Sequence, residues 1–573
     1  MIRVCRFLFA LAFVAAAEAA SPPPVAAEHG MVVTAQRLAT RVGVDVLKDG
    51  GNAVDAAVAV GYALAVVYPA AGNLGGGGFM TIRLADGRRS FIDFRETAPA
   101  AARPDMYLDA QGNVVKERSR KGHLAAGVPG TVAGLELARE KYGRLPRAAL
   151  LAPAIAYAER GFALDAGDAA MFATATDDFR RDAASAAIFL DHGAPWAEGR
   201  RLVQKDLAKT LRAVAARGAD GFYRGPVAAA IAASSRAGGG LITEADLRGY
   251  RARERAPVEC DYRGLHVVSA PPPSSGGVIV CEILDILEAY PLKDWGWGSA
   301  QAVHAEIEAM RHAYLDRNSY LGDPDSVANP IERLLDRGYA ARIREAIDPK
   351  RAGDSRALRP GVPPHAPLSE GSNTTHYSIV DDQGNAVAVT YTLNDWFGAR
   401  VTAAGTGVLL NDEMDDFTAK PGVPNLYGLV QGAANAIAPG KRPLSSMSPT
   451  IVTQDGRLLM VLGTPGGSRI ISAVVLTLLN VVDYGMTIQE AVDAPRIHQQ
   501  WLPPTTAVER FALSPDTRRI LEGMGHEFTD SPPANHLAAI LVGAPTFGGK
   551  PVGKNRYYGA NDPRRGTGLA AGY

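Results

Sequence analysis

The chain has 573 residues, with 60 basic and 60 acidic side chains. Zero net charge excludes the basic footprint of a nucleic-acid binder or a polybasic membrane-surface protein. Hydrophobic residues make up 47% and charged residues 21%, the balance of a globular chain long enough to bury a large core.

Arg3 and Arg6 precede the apolar run 7–17, and Ala17-Glu18-Ala19-Ala20 ends in small residues. That is the layout of a secretory signal peptide, so the expectation is cleavage near Ala20 and export to the periplasm or beyond. The run is too short to span a bilayer. Only Cys260 and Cys281 follow the leader. An exported chain could bridge them, but both lie near apolar segments and suit buried free thiols equally well. No cysteine–histidine cluster has metal-ligand spacing, so neither a metal nor another cofactor is expected.

Residues 21–28 read as a Pro- and Ala-rich linker. From Val32 to about Ala71 the apolar spacing is helical, broken at Gly50-Gly51-Asn52. The stretch "GNLGGGGFM" (72–80) follows. It lacks the Lys-Ser/Thr of a phosphate loop and the spacing of a dinucleotide fingerprint. Four consecutive glycines instead suggest backbone held close to another group. Phe79–Leu84, a turn at 85–88 and Ser90–Phe94 form a hairpin pattern. Helices alternate with loops from 130 to 260, including Thr131–Tyr142, Arg147–Arg160 and Asp206–Arg217. The Pro/Ser/Gly run 270–277 leads into a helix at about 278–288, and another covers about 300–315.

Residues 351–373, "RAGDSRALRPGVPPHAPLSEGSN", have the composition of a mobile loop. Directly after it, Thr374–Val380 and Ala386–Leu393 alternate around a turn at 381–385. Thr374 is therefore the first residue of a hairpin. A second hairpin pairs Thr450–Thr453 with Leu458–Gly463. Gly466-Gly467-Ser468 then opens a helix to about Val482, too short to cross a membrane and better read as buried.

A Thr-Thr pair is ordinary strand surface. A flexible loop ending at a strand's first residue, however, is an accessible cut site. A cut before Thr374 would give its hydroxyl a neighbouring α-amino group, with a reference pKa near 7.7–8.0. Such an amine can activate a hydroxyl nucleophile.

The segment "TTHYSIVDDQGNAVAVTYTLN" resembles the start of the small subunit of gamma-glutamyltranspeptidases, or glutathione hydrolases. "LLNDEMDDF", "KPGVPNLYGL", "RPLSSMSPTIV", "GTPGGSRII" and "DAPRIHQQWLP" resemble its later segments. "GNLGGGGFM", "FRETAP" and "QKDLAKTL…GADGFYRG…GGLITEADLRGY" resemble the large subunit. The resemblance runs in family order from about residue 27 to Tyr573.

The resemblance implies an α+β fold, the four-layer αββα sandwich of N-terminal nucleophile hydrolases. It also implies one precursor that cuts itself between Asn373 and Thr374. The parts would be a signal peptide at 1–20, a large subunit at 21–373 and a small catalytic subunit at 374–573, paired as a heterodimer. Thr374 would be the nucleophile, supported by Thr392, with Gly466 and Gly467 as the oxyanion hole. Arg95, Ser445 and Ser446 would bind the α-carboxylate of a γ-glutamyl donor such as glutathione. Asp416, Asn394 and Glu413 would hold its α-ammonium, and Tyr427 would contact it from a lid at 421–432. Acceptors would be water, amino acids or dipeptides. Competing expectations are a glutaryl-type cephalosporin acylase of the same fold and an unprocessed exported binding protein. The retained Asp416 counts against the first, and the intact nucleophile and glycine pair count against the second.

Overall fold

The structure is a computed structural model that describes residues 21–358 and 374–573. The expected signal segment, Asn373 and loop positions 359–373 lie outside the described residues.

Fourteen strands make the frame, in chain order β1 (Val25–Ala27), β2 (Met31–Thr34), β3 (Gly77–Arg83), β4 (Arg89–Asp93), β5 (Arg253–Arg255), β6 (Val258–Tyr262) and β7 (Leu265–Ser269), then β8 (Thr374–Val380), β9 (Ala386–Thr392), β10 (Thr450–Gln454), β11 (Arg457–Gly463), β12 (Ala538–Val542), β13 (Tyr557–Asn561) and β14 (Leu569–Gly572). They form two seven-stranded sheets, ordered β1-β13-β12-β11-β10-β7-β6 and β14-β2-β8-β9-β3-β4-β5. Every pairing in both sheets is antiparallel.

The sheets stack face to face, with β8 and β9 against β11 and β12. Val33, Ala388, Ile451, Val461 and Ile540 fill the space between them. Both faces of both sheets are covered, which is why β8 and β9 are buried at every residue. Outside the second sheet lie α1 (Arg37–Lys48), α2 (Ala53–Val67), α3 (Thr131–Tyr142), α4 (Arg147–Arg160) and α5 (Lys205–Arg217). Outside the first lie α6 (Gly276–Leu287), α7 (Ala300–Tyr320), α8 (Arg469–Val482) and α9 (Ile488–Asp493). The layers therefore run αββα, as expected. Helix α2 is apolar all round because it is buried all round. The Asn52 side chain accepts from Val54 N and Asp55 N, and Asp55 accepts from Asn52 N, which starts this helix sharply after the glycine break.

Several expectations change. Met31–Thr34 is a strand, because its four consecutive buried residues sit between β8 and β14 rather than on a helix face. The linker assigned to 21–28 contains β1, paired with β13. The helix expected at about 300–315 continues to Tyr320. The loop expected to be mobile from 351 is anchored as far as 358: Ser355 is buried, accepts from Arg311, and its carbonyl accepts from Trp501 Nε1 at 2.9 Å. Cys260 and Cys281 are bridged, tying β6 to α6. Among the described residues no helix is long and apolar enough to cross a membrane.

The bridge closes a segment with a sequence separation of 21. Chain entropy for a loop of that size is worth about 3 kcal/mol. Replacing both cysteines by serine is expected to lower unfolding stability by an amount of that order in chemical denaturation, and reductant should then have no further effect. Unchanged stability would remove the bridge from the stabilising contacts.

Candidate functional site

Thr374 opens β8 and pairs with Thr392 at the end of β9. Its hydroxyl donates to Thr392 Oγ1 at 3.2 Å. Strand alternation sends the Thr375 side chain to the opposite face. There its buried hydroxyl has no hydrogen-bond partner among the described residues.

Thr392 is itself held. Asn394 N donates to its hydroxyl and Asn73 Nδ2 to its carbonyl, both at 2.9 Å. The tetraglycine packs here: a side-chain carbon at Gly76 would lie 2.0 Å from the Thr392 carbonyl oxygen, and one at Gly75 2.0 Å from that of Leu409. Close backbone approach is thus the reason for the glycines, as their pattern suggested.

A cavity of about 290 Å³ opens at Thr374. Thr392, Asn394, Tyr427 and Gly467 line it with Thr374, and so do Arg95, Glu413, Asp416, Ser445 and Ser446. The site residues expected from sequence converge there, with two exceptions. Asn373 lies outside the described residues. Gly466 does not line the cavity; a side-chain carbon on it would meet Asn535 Nδ2 at 2.4 Å. Gly467 precedes α8, has a φ of +55°, and leaves no room for a side chain beneath the Tyr427 ring. Tyr427 is pinned from the other end, its hydroxyl donating to Asn394 Oδ1 at 2.7 Å.

The charges are concentrated. The Arg95 guanidinium is fully buried and donates through its two terminal nitrogens to Glu413 and Asp416, and through Nε to the Pro443 carbonyl at 3.1 Å. Burial alone would weaken its charge, but Glu413, Asp416 and Glu96 hold its pKa above the ordinary value. Burial drives Glu413 well above the usual carboxylate range against the pull of Arg95, and Glu96 adds to the rise. Glu96, 3.7 Å from Arg95, is pushed up to about 7, chiefly by burial, and neither of its oxygens has a hydrogen-bond partner among the described residues. Three carboxyls, Glu96, Glu413 and Asp416, thus surround one guanidinium.

Arg317, Met447, Leu429, Ser468 and Ile470 complete the lining and were not expected. Arg317 sits in the last turn of α7, beyond the expected end of that helix, and an arginine in a helical stretch carries no sign of burial. A further cluster, His304, Glu308 and His526, brings three metal-capable side chains together away from the cavity. His304 Nδ1 already meets His526 Nε2 at 2.8 Å, and Arg311 Nε stands 3.3 Å from both Glu308 oxygens.

Residues 39–572 match the family model described as gamma-glutamyltranspeptidase. The chain belongs to the gamma-glutamyltranspeptidase family. A glutathione hydrolase proenzyme of Pseudomonas sp. (strain A14) is 69% identical over 556 residues, 97% of this chain and 96% of the relative. One from Escherichia coli (strain K12) is 49% identical over 584 residues, covering 100% and 98%. A crystal structure of cephalosporin acylase from Bacillus halodurans superposes with a TM-score of 0.84 at 28% identity, covering 97% of this chain and 98% of that one. The αββα frame is therefore that of the N-terminal nucleophile hydrolases, as the family implies.

Glu96 sets a pH dependence. An acid whose folded pKa is raised contributes stability that is full below its unfolded value of about 4.5 and is lost as pH rises through about 7. The thermal midpoint is expected to fall between pH 5 and 8 more steeply in the native protein than in Glu96→Gln, which stays neutral. Parallel curves would show that Glu96 is ionised throughout.

Proposed function

We infer that this chain is an exported, self-cleaving gamma-glutamyltransferase and glutathione hydrolase in which Thr374 is the nucleophile. The observation that carries the residue assignment is the Thr374 hydroxyl at the mouth of a strand, facing a cavity lined by both cationic and anionic groups. A γ-glutamyl donor ends in a zwitterion, so its pocket needs both signs.

Maturation comes first. The Thr374 hydroxyl attacks the carbonyl of Asn373, the peptide nitrogen leaves, and water opens the resulting ester. The products are a large subunit ending at Asn373 and a small subunit beginning at Thr374, which stay together as a heterodimer. The new α-amino group is now the base for the same hydroxyl. In turnover, Thr374 Oγ attacks the γ-carbonyl of the donor while its proton passes to that amine. The backbone N–H groups of Gly466 and Gly467 receive the oxyanion, at a helix N-terminus where negative charge is favoured. The tetrahedral intermediate collapses as the proton moves to the leaving amine, giving a γ-glutamyl ester on Thr374. Water or the amine of an amino acid or dipeptide then takes the acyl group and restores the hydroxyl.

Recognition divides by charge. Ser445 and Ser446 donate to the α-carboxylate, joined by the N–H groups of Arg95 that Glu413, Asp416 and Pro443 leave over. Asp416, Glu413 and Asn394 Oδ1 surround the α-ammonium. Tyr427 closes over the donor with the 421–432 lid and excludes water. Thr392 Oγ1, already accepting from Thr374, orients the nucleophile.

A glutaryl-type acylase of the same fold is the second reading, favoured by the structural likeness. Its donors lack the ammonium that Asp416 and Glu413 would meet, so paired assays with γ-glutamyl and glutaryl anilides separate the two.

Intact mass and N-terminal sequencing of the purified protein, with a γ-glutamyl anilide assay on the same sample, test the assignment. Two subunits, one beginning Thr374-Thr375-His376-Tyr377, are expected, and Thr374→Ala should remain one inactive chain. Normal processing of that variant would remove Thr374 from the role. Asp416→Asn should process normally but raise KM for γ-glutamyl donors about 10- to 150-fold, the loss of one charge-assisted contact. An unchanged KM would take Asp416 out of the ammonium site.

A further inference from the structure

Two guanidinium groups line the cavity, and they differ. Arg95 is held by two carboxylates. Arg317 is 1% exposed, yet no carboxylate of the described residues lies within 4 Å of it. Its N–H groups go to neutral acceptors instead. Nε donates to Ser275 Oγ at 2.9 Å and one terminal nitrogen to Ser446 Oγ at 2.9 Å. The other terminal nitrogen donates to Asn318 Oδ1 at 2.9 Å and Gln431 Oε1 at 3.2 Å. A buried cation without an anionic partner is costly unless a ligand supplies one.

The direction of these bonds matters more than their number. A serine hydroxyl has one proton to give. Ser446 Oγ accepts from Arg317, and Ser445 Oγ accepts from Met447 N at 3.1 Å. Neither hydroxyl proton has a protein acceptor among the described residues, and both serines line the cavity. Arg317 reaches the second serine as well: Ser275 Oγ, which accepts from Arg317, donates to the Ser445 carbonyl at 2.7 Å. One side chain on α7 therefore holds the Ser445-Ser446 peptide at two points and leaves both hydroxyls with a proton to give toward the cavity.

We propose that Arg317 is a positioning residue for the donor's α-carboxylate, acting through Ser446 and the Ser275–Ser445 relay and supplying positive charge behind them. This rests on the γ-glutamyl reading of the site. A proton donor polarised by an adjacent cation is a stronger donor, and the buried cation itself attracts the carboxylate one hydroxyl away. Arg317 also meets the lid: Gln431 lies at its end, and the Asn318 carbonyl accepts from Gly432 N at 2.9 Å. A purely structural role in the lid would affect all donors alike, whereas carboxylate positioning would not.

The test uses mature native enzyme and Arg317→Met with two anilide donors, γ-glutamyl and 4-aminobutanoyl, which are identical except for the α-carboxylate. The kcat/KM ratio of the first to the second is expected to fall at least tenfold in the variant, through a higher KM for the γ-glutamyl donor. Ser446→Ala should slow the γ-glutamyl donor markedly in native enzyme but less than twofold further in the Arg317→Met background. Equal losses on both donors, or the same Ser446→Ala penalty in both backgrounds, would overturn the proposal. If Arg317→Met does not mature, Arg317→Lys is measured by the same two criteria. A mature native enzyme inactive on the γ-glutamyl donor would instead overturn the activity reading beneath it, so the two failures are told apart.

Discussion

The register of the β8–β9 hairpin is the constraint on which the site depends. Side chains alternate along a strand, so a slip of one residue would exchange Thr374 for Thr375 at the cavity. The turn is locked at Asp381, whose carboxylate accepts from Gln383 N, Asn385 N and Asn385 Nδ2. The same carboxylate accepts from Ala53 N at the start of α2, tying the turn to the helical layer. At the opposite end the register sets Thr374 beside Thr392, and Thr392 is gripped by Asn73 and by the glycine backbone. The hairpin is thus fixed at both ends by elements on the far side of the intended cut. The position of Thr374 therefore rests on contacts other than the peptide bond before it.

The site is likewise assembled from residues before 359 and after 373. Arg95, Glu96 and Arg317 come from before residue 359, and Thr374, Glu413, Asp416, Ser445 and Ser446 from after 373. Interleaved sheets make this possible: β2, β3 and β4 flank β8 and β9, and β6 and β7 extend the sheet of β10 and β11. Separating the halves would expose two buried sheet faces and unpair strand edges, each buried aliphatic side chain contributing about 1.5–3 kcal/mol. The charges add to this, because Arg95 from one half is the counter-ion of Glu413 and Asp416 from the other.

The frame was largely legible because the hairpins, the polar turns and the long helices carry strong local periodicity. What failed was local pattern overruled by long-range pairing. Met31–Thr34 and Val25–Ala27 became strands because partners over 340 residues away complete their sheets. The convergence of Arg95, Asp416 and the two serines was legible only through the family resemblance, since no spacing rule links residues over 300 positions apart. Glu96 and Arg317 stayed hidden because an ionisable residue in an otherwise ordinary segment gives no sign of being buried. The cysteine pair was undecided for the same reason: sequence shows two thiols but not the meeting of β6 and α6.

The composition of the cavity also bears on what it can select. Two carboxyls, Glu413 and Asp416, and two guanidinium groups, Arg95 and Arg317, line the cavity, with Glu96 behind Arg95. Burial raises Glu96 and Glu413 toward their protonated forms, and in the proposed reading Asp416 meets the incoming ammonium. On the positive side, Arg95 is salt-bridged within the protein, whereas no carboxylate of the described residues lies within 4 Å of Arg317. A ligand carrying both an ammonium and a carboxylate on one carbon satisfies the two imbalances at once. A ligand with only the carboxylate would settle Arg317 and add to the repulsion around Asp416. In the proposed reading, a preference for an α-amino acid terminus would follow from charge balance as well as from hydrogen-bond geometry, and it would persist in any variant that kept the Arg95 cluster and Arg317 intact.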